Sequence, residues 1–340
     1  MTMLAHADPH GDSRRPEEPR FERKLRDEME RRWPAGADEL SALGRYALLP
    51  PGKLLRPLLT LACAEAVGGA PDDVVPAALA LEYLHVATLV HDDIIDADDV
   101  RRSRPALHVA HGVPDAIVTG DHLIFAAFAA IGECRPAGVT AEAGTAAVMA
   151  LATAGSDLCR GQVLEARLVG DPAAGVEAYL TVATLKTGAL FRAACRIGAL
   201  LGGADAEQAE RLGEYGELLG IAFQIRDDVL ACTLGPEATG KPSTSDLANG
   251  RPTLPVLLAY EAGDRATRRR LAAALARRSA GPGELAEFRA MLVATGGLDL
   301  ARARATGYGE QALARLSTLE ASASRDLLAS AATWAAGVGQ

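Results

Sequence analysis

Between His91 and Pro105 the chain reads HDDIIDADDVRRSRP, five aspartates followed by three arginines. In a helix, the 3.6-residue turn sets Asp92 and Asp96 on one face with Asp93 beside them. Carboxylates held that close repel one another. A hard divalent cation such as Mg2+ relieves the repulsion, binding through one or two carboxylates plus substrate phosphates. Arg101, Arg102 and Arg104 supply planar forks that grip phosphate oxygens through paired hydrogen bonds. Together these residues read as a metal-diphosphate site. A solvated charge run is the plainer alternative, and it suffices for Asp98 and Asp99. It suits the others less, because the run follows the apolar stretch AALALEYLHVATLV and so closes a helix that must be buried.

A second acidic pair, Asp227 and Asp228, lies in FQIRDDVLACTLGPEATGKPSTSDLANGRPTLP, just after Gln224. The Gly- and Pro-rich loop that follows carries Lys241, Asp246 and Arg251; alone it would read equally as ordinary surface. Lys53 and Arg56 in PGKLLRP stand at a helix start, where free N–H groups also favour anions. Lys186 and Thr187 in LKTGALF sit between two apolar runs. Two helices ending in carboxylate pairs, with cations near both, could clamp metal ions around a diphosphate and neutralise it as it leaves.

The elements that must position these groups read as helices. Phe21, Leu25 and Met29 form an apolar stripe ended by Pro34. Helical runs follow over 53–67, 71–98, 114–133, 141–169, 175–184, 188–201 and 206–230, then over 253–336 with breaks at 281–283 and 296–297. Alternating strand patterns are hard to find. The expected fold class is all-α, one domain over 21–340 after a disordered tail over 1–20.

Composition narrows the function classes. The 340 residues are 49% hydrophobic but only 4% aromatic, which suits close-packed helices rich in Ala and Leu. A net charge of −9 argues against nucleic acid. Five scattered cysteines without a CxxC pair suggest free thiols in the cytoplasm. The polar first twenty residues show no signal sequence, and no uninterrupted apolar run of about 20 residues suggests a transmembrane segment. A lipid-like product could still be released at a membrane surface.

The chain resembles the trans-isoprenyl diphosphate synthases, the polyprenyl synthetase family, from about residue 20 onward. PGKLLRP looks like that family's GGKRLRP, DDIID with Arg101 and Arg102 like its first aspartate-rich motif, and LKTGAL like its KTA segment. FQIRDDVLA, GKPSTSDL and TLP look like its second aspartate-rich region. The resemblance implies the isoprenoid synthase fold, antiparallel helices around a deep central cavity, and a homodimer. It implies that isopentenyl diphosphate attacks the cation left by an ionised allylic diphosphate, with loss of a proton to the departing diphosphate. Asp92, Asp96 and Asp227 would hold three Mg2+ ions, supported by Asp93 and Asp228. Arg101, Lys186 and Lys241 would hold the allylic diphosphate, while Thr187 and Gln224 line the cation; Arg251, also expected to bind substrate, stands where lysine is common and keeps the charge. Lys53, Arg56, His85 and Arg102 would grip isopentenyl diphosphate. A lone histidine on a helix is more often a core residue, but His85 lies seven residues before Asp92 on the same face. Gln162 and Glu165 stand where the family often has supporting polar residues.

Departures bear on activity and product. Ala231 stands where a further aspartate is common and cannot ligate metal. Ser103 replaces a usual glycine, and Pro51 and Leu54 depart from GGKRLRP. Short-chain members often carry an aromatic one turn before the first motif; here Ala87 and Thr88 are small, so products longer than farnesyl are expected, most like those of long-chain synthases. Phe125 and Phe128 offer a deeper floor, which would give geranylgeranyl diphosphate. A noncatalytic subunit and a terpene cyclase on the same fold are the alternatives.

Overall fold

The computed structural model describes residues 20–134, 138–233, 247, 249–278 and 282–337. Among them the architecture is helical, with one two-stranded ribbon. The helices are α1 (Arg20–Arg32), α2 (Glu39–Leu48), α3 (Leu55–Ala66), α4 (Pro71–Ile95), α5 (Leu107–His111), α6 (Val113–Glu133), α7 (Ala141–Leu168), α8 (Val176–Ala183), α9 (Ala189–Leu201) and α10 (Ala206–Thr233). After α10 come α11 (Leu254–Ala262), α12 (Arg265–Arg277), α13 (Pro282–Ala294), α14 (Gly297–Arg315) and α15 (Ala323–Ala335). The expected tail over 1–20 lies, but for Arg20, outside the described residues. Arg20 opens α1, whose stripe of Phe21, Leu25 and Met29 is buried as the spacing predicts.

The core has two parts. The larger gathers α3, α4, α6, α7 and α9, and the smaller joins α8 and the end of α10 to α11–α14. Ala and Leu side chains let these helices approach closely and bury apolar surface at about 25 cal/mol per Å2. Helix α4 is apolar on nearly every side because it packs against α3, α6 and α9 at once. By length and composition α4 and α6 could cross a membrane, although neither is an uninterrupted apolar run; 72% of that window is buried within α4 but only 39% within α6. Val113, Ile117, Val118 and Phe125 leave an exposed apolar face on α6. Phe125 is 71% exposed, so it is not the pocket floor expected for it.

Two local departures from regular helix shape the site. Helix α4 stops at Ile95 instead of running to Asp98, and a hairpin, β1 (Val100–Arg101) and β2 (Arg104–Pro105), follows. Its two-residue turn places Arg102 and Ser103 at φ of 51° and 60°, the left-handed pair that a tight hairpin requires. Between α8 and α9 the chain does not break as the sequence suggested. It continues as a π-helical turn over Thr184–Gly188, in which Ala189 N–H bonds back to Thr184 O. Such turns widen a helix by one residue and recur at functional sites.

Candidate active site

The first acidic motif occupies the C-terminal end of α4, where the helix dipole is negative and disfavours carboxylates. Surrounding cations offset that cost. Arg101 lays its fork on Asp93, with Nε 2.9 Å from Oδ1 and 3.2 Å from Oδ2. Arg251, from far along the chain, donates Nη2 to Asp96 Oδ2 at 2.6 Å. Asp93 is buried, whereas Asp92 and Asp96 are half-buried on the adjoining face. Asp93 thus acts as the hook for the arginine hairpin, while Asp96 pairs with Arg251 and Asp92 lies within the field of Lys186 and Arg251.

The π turn presents Lys186 and Thr187 to the same place. It lies hard against α7, where a Cβ on Gly161 would come within 2.8 Å of Lys186 N, so only glycine lets the two backbones meet. Lys186 Nζ bonds Glu165 Oε2 at 2.6 Å, and Arg251 Nε lies 3.8 Å from the same oxygen. Burial pushes the Asp92 carboxyl above its ordinary range; Lys186 and Arg251 pull it down, and Asp96 and Glu165 push it up. Two cations, Lys186 and Arg251, thus stand among three carboxylates, Asp92, Asp96 and Glu165, and a divalent cation fits the charge left over.

From the π turn Thr187 Oγ1 donates across to Gln224 Oε1 of α10 at 2.8 Å, and Gln224 Nε2 donates to Asp228 Oδ1 at 2.8 Å. Tyr179 completes the chain by donating to Asp228 Oδ2 at 2.6 Å. Asp228 is thereby fixed and buried, while Asp227 is exposed beside it. Glu165, Lys186, Thr187, Gln224, Asp228 and Arg251 line one cleft. Among the described residues no three His, Cys, Asp or Glu side chains form a ready-made metal cluster. Lys241 lies outside the described residues.

A second basic group gathers at the start of α3. Arg56 is half-buried, its Nε buried without a hydrogen-bond partner, and its guanidinium lies 4.5 Å over the Phe191 ring. Burial lowers it to about 10 against the opposing pull of Glu82 and Asp227. Arg102 donates to Pro50 O at 3.0 Å and lies 3.8 Å from Glu82. Gly52 gives it room, since a Cβ there would meet its guanidinium at 3.2 Å. His85 is held well below its ordinary value by burial and by Arg56, Arg102 and Arg101, so it is neutral and borders the same cationic group. Lys53 is exposed, with Nζ 5.6 Å from the Trp334 ring centre.

The chain also matches known proteins. The polyprenyl synthetase family model covers residues 37–292. The chain belongs to the polyprenyl synthetase family. It is 39% identical over 296 residues to a geranylfarnesyl diphosphate synthase of Aeropyrum pernix, covering 86% of this chain and 92% of that one. The crystal structure of a geranylgeranyl pyrophosphate synthetase from Pyrococcus horikoshii Ot3 superposes with a TM-score of 0.85 at 32% identity, covering 94% and 96% of the two chains. A polyprenyl synthase from Caulobacter crescentus CB15, complexed with calcium and isoprenyl diphosphate, gives 0.84 at 30% identity over 93% and 94%. Membership carries the all-α synthase fold and makes the chain a trans-prenyltransferase.

Not every sequence-predicted residue serves as expected. Arg104 is no free phosphate fork: its Nη1 donates to Leu49 O at 2.8 Å, its Nη2 to Tyr46 O, and its guanidinium carbon lies over the Tyr46 ring, 4.4 Å from its centre. It pins the hairpin to α2. Thr88 is half-buried with its hydroxyl donating to His85 O at 2.7 Å, and Ala87 is fully buried. Ala231 and Cys232 border a separate small cleft with Arg251 and Arg289. Glu82 and Tyr179 escaped sequence reading, although Glu82, a lone acid in an apolar helix, was a visible signal.

Proposed function

We propose that the chain condenses isopentenyl diphosphate head-to-tail with an allylic diphosphate, giving an all-trans prenyl diphosphate longer than farnesyl. The observation that carries this is the presence of two separate cationic groups. Lys186 and Arg251 stand against the carboxylates of the first motif, while Arg56 and Arg102 gather around Glu82, with neutral His85 beside them. A cyclase ionises one diphosphate and has no use for the second group.

In this reading Asp92 and Asp96, with Asp227 from the facing helix, hold three Mg2+ ions, and Asp93 and Asp228 keep their neighbours aligned. The bound metal would neutralise charge growing on the departing diphosphate. Arg101, Lys186, Lys241 and Arg251 grip that group, and the fixed positions of Arg101, Lys186 and Arg251 favour the charge-separated transition state over the ground state. Thr187 and Gln224 line the developing cation. Lys53, Arg56, Arg102 and neutral His85 orient isopentenyl diphosphate for attack, and the leaving diphosphate takes the proton.

The small Ala87 and Thr88 before Asp92, and the likeness to geranylfarnesyl and geranylgeranyl synthases, support a product beyond farnesyl. The exposed Val113, Ile117, Val118 and Phe125 on α6 support a homodimer. Five free thiols support residence in the cytoplasm.

The test is to incubate the purified protein with Mg2+, isopentenyl diphosphate and allylic primers of increasing length, and to weigh the products. Elongation past farnesyl is expected. No elongation from any primer would overturn the reaction, farnesyl alone would overturn the length, and hydrocarbon released without isopentenyl diphosphate would favour the cyclase. Light scattering should give twice the chain mass, reduced to one by Phe125→Glu.

A further inference from the structure

The cations of the two diphosphate sites are held in different ways. On the allylic side carboxylates hold them, Glu165 for Lys186 and Asp96 for Arg251. On the other side Glu82 lies 3.8 Å from Arg102, and Arg56, Arg226 and Lys53 lie over aromatic faces. Phe191 of α9, Phe223 of α10 and Trp334 of α15 form a continuous stack, with ring centres 5.6 Å apart at each step and planes tilted by 39° and 35°. Arg56 covers the Phe191 end at 4.5 Å. At the Trp334 end lie Arg226, 4.2 Å from the ring centre, and Lys53 at 5.6 Å.

The two kinds of support differ chemically. A carboxylate that holds a cation also occupies its N–H donors and competes with an incoming phosphate. A ring face attracts the charge through its quadrupole and leaves the donors free. For an exposed lysine with four rotatable bonds, the ring also reduces the rotamer freedom that binding an anion would otherwise have to remove. Phe223 transmits the arrangement, since it fixes the spacing between the ring under Arg56 and the ring under Lys53.

We propose that Trp334 is a positioning residue of the isopentenyl diphosphate site: its ring holds Lys53 and Arg226 in place without itself occupying their N–H donors, so helix α15 completes a site otherwise built from α3, α4 and the hairpin. This rests on the assignment of Lys53 and Arg56 to isopentenyl diphosphate. Trp334 touches no reacting atom in this role, so its removal should weaken one substrate selectively.

The experiment combines kinetics with fluorescence, using the full chain. Trp334→Ala is expected to raise KM for isopentenyl diphosphate about tenfold, the size of two exposed cation–π contacts, while KM for the allylic primer stays within about twofold. Trp334→Phe, which keeps a ring face, should restore most of that loss. The chain has two tryptophans, Trp33 and Trp334. Adding isopentenyl diphosphate to wild type, with Mg2+ and a non-ionising thiolo analogue of the allylic diphosphate, should shift emission, and the shift should vanish in Trp334→Phe. A parallel rise in both KM values, a fall in kcat alone, or an emission shift that survives Trp334→Phe would each overturn the proposal. If Trp334→Ala does not fold, the emission comparison decides. A wild type that elongates no primer removes the site assignment and the proposal with it; a wild type that elongates normally but fails the Trp334 tests removes the proposal alone.

Discussion

Tyr179 donates its phenolic proton to Asp228 Oδ2 at 2.6 Å, across 49 residues of sequence, while Gln224 takes the other carboxylate oxygen at 2.8 Å. With both oxygens engaged, Asp228 has one orientation, and Asp227 beside it inherits a fixed backbone from which to face the metal. Outer partners of this kind commonly contribute ten- to a hundredfold to metal affinity or activity. Tyr179→Phe keeps the ring in its packed place and removes only the donor. The Mg2+ concentration for half-maximal activity should rise about tenfold, with the thermal midpoint nearly unchanged. An unaltered Mg2+ dependence would show that Asp228 needs no such support.

Glu82 lies within the apolar body of α4, 3% exposed, with Oε1 3.8 Å from Arg102. Burial raises its pKa, and Arg102 and Arg56 pull it back down, as befits a counter-charge to both arginines. Glu82→Gln keeps the shape and removes the charge, leaving two partly buried cations facing each other. Loss of about 2 kcal/mol is expected, below the figure for a fully buried pair because Arg102 retains some exposure. A bound diphosphate would replace the missing charge. Inorganic diphosphate should therefore raise the melting temperature more in Glu82→Gln than in wild type, and an equal rise would separate Glu82 from the anion site.

The helices and most of the site were legible because both depend on local pattern. The stripe of Phe21, Leu25 and Met29 and the acidic ends of α4 and α10 follow from 3.6-residue spacing. The hairpin at Val100–Pro105 was not legible: its strands have two residues each, too short for alternation, and its turn uses Arg102 and Ser103 instead of the usual glycine. The π turn was hidden because its cause is tertiary, the contact of Lys186 with Gly161 on another helix. Tyr179 and Trp334 carry no motif, and their roles arise from neighbours far away in sequence. The sequence also could not show that Asp93 pairs with Arg101 while Asp96 pairs with Arg251, since both share one end of a helix.

Ser103 adopts φ of 60° with its side chain exposed, a conformation that costs a residue with a Cβ about 1 kcal/mol. This explains why glycine is usual at this position in the resembling motif. Ser103→Gly relieves that cost, less the extra entropy glycine gains in the unfolded chain. A net gain of about 0.5 kcal/mol, or about 1 °C in melting temperature, is expected with activity unchanged. A lower melting temperature would mean that the hairpin needs the stiffness of serine more than it suffers the strain.

His85 gives the stability a defined pH dependence. In the folded protein burial and the nearby arginines hold its pKa well below the ordinary 6.5, whereas in the unfolded chain it titrates near that value. Above 6.5 neither state binds a proton at this ring and its contribution is constant. Below 6.5 the unfolded chain takes up a proton that the folded protein refuses, so stability falls as pH falls, by up to about 1.4 kcal/mol per pH unit. His85→Gln retains a neutral polar side chain and cannot titrate. Between pH 7.5 and pH 5.5 the urea midpoint of wild type should drop further than that of His85→Gln. Equal slopes in the two proteins would place a proton on folded His85 and remove the basis for treating it as a neutral ligand of the isopentenyl diphosphate site.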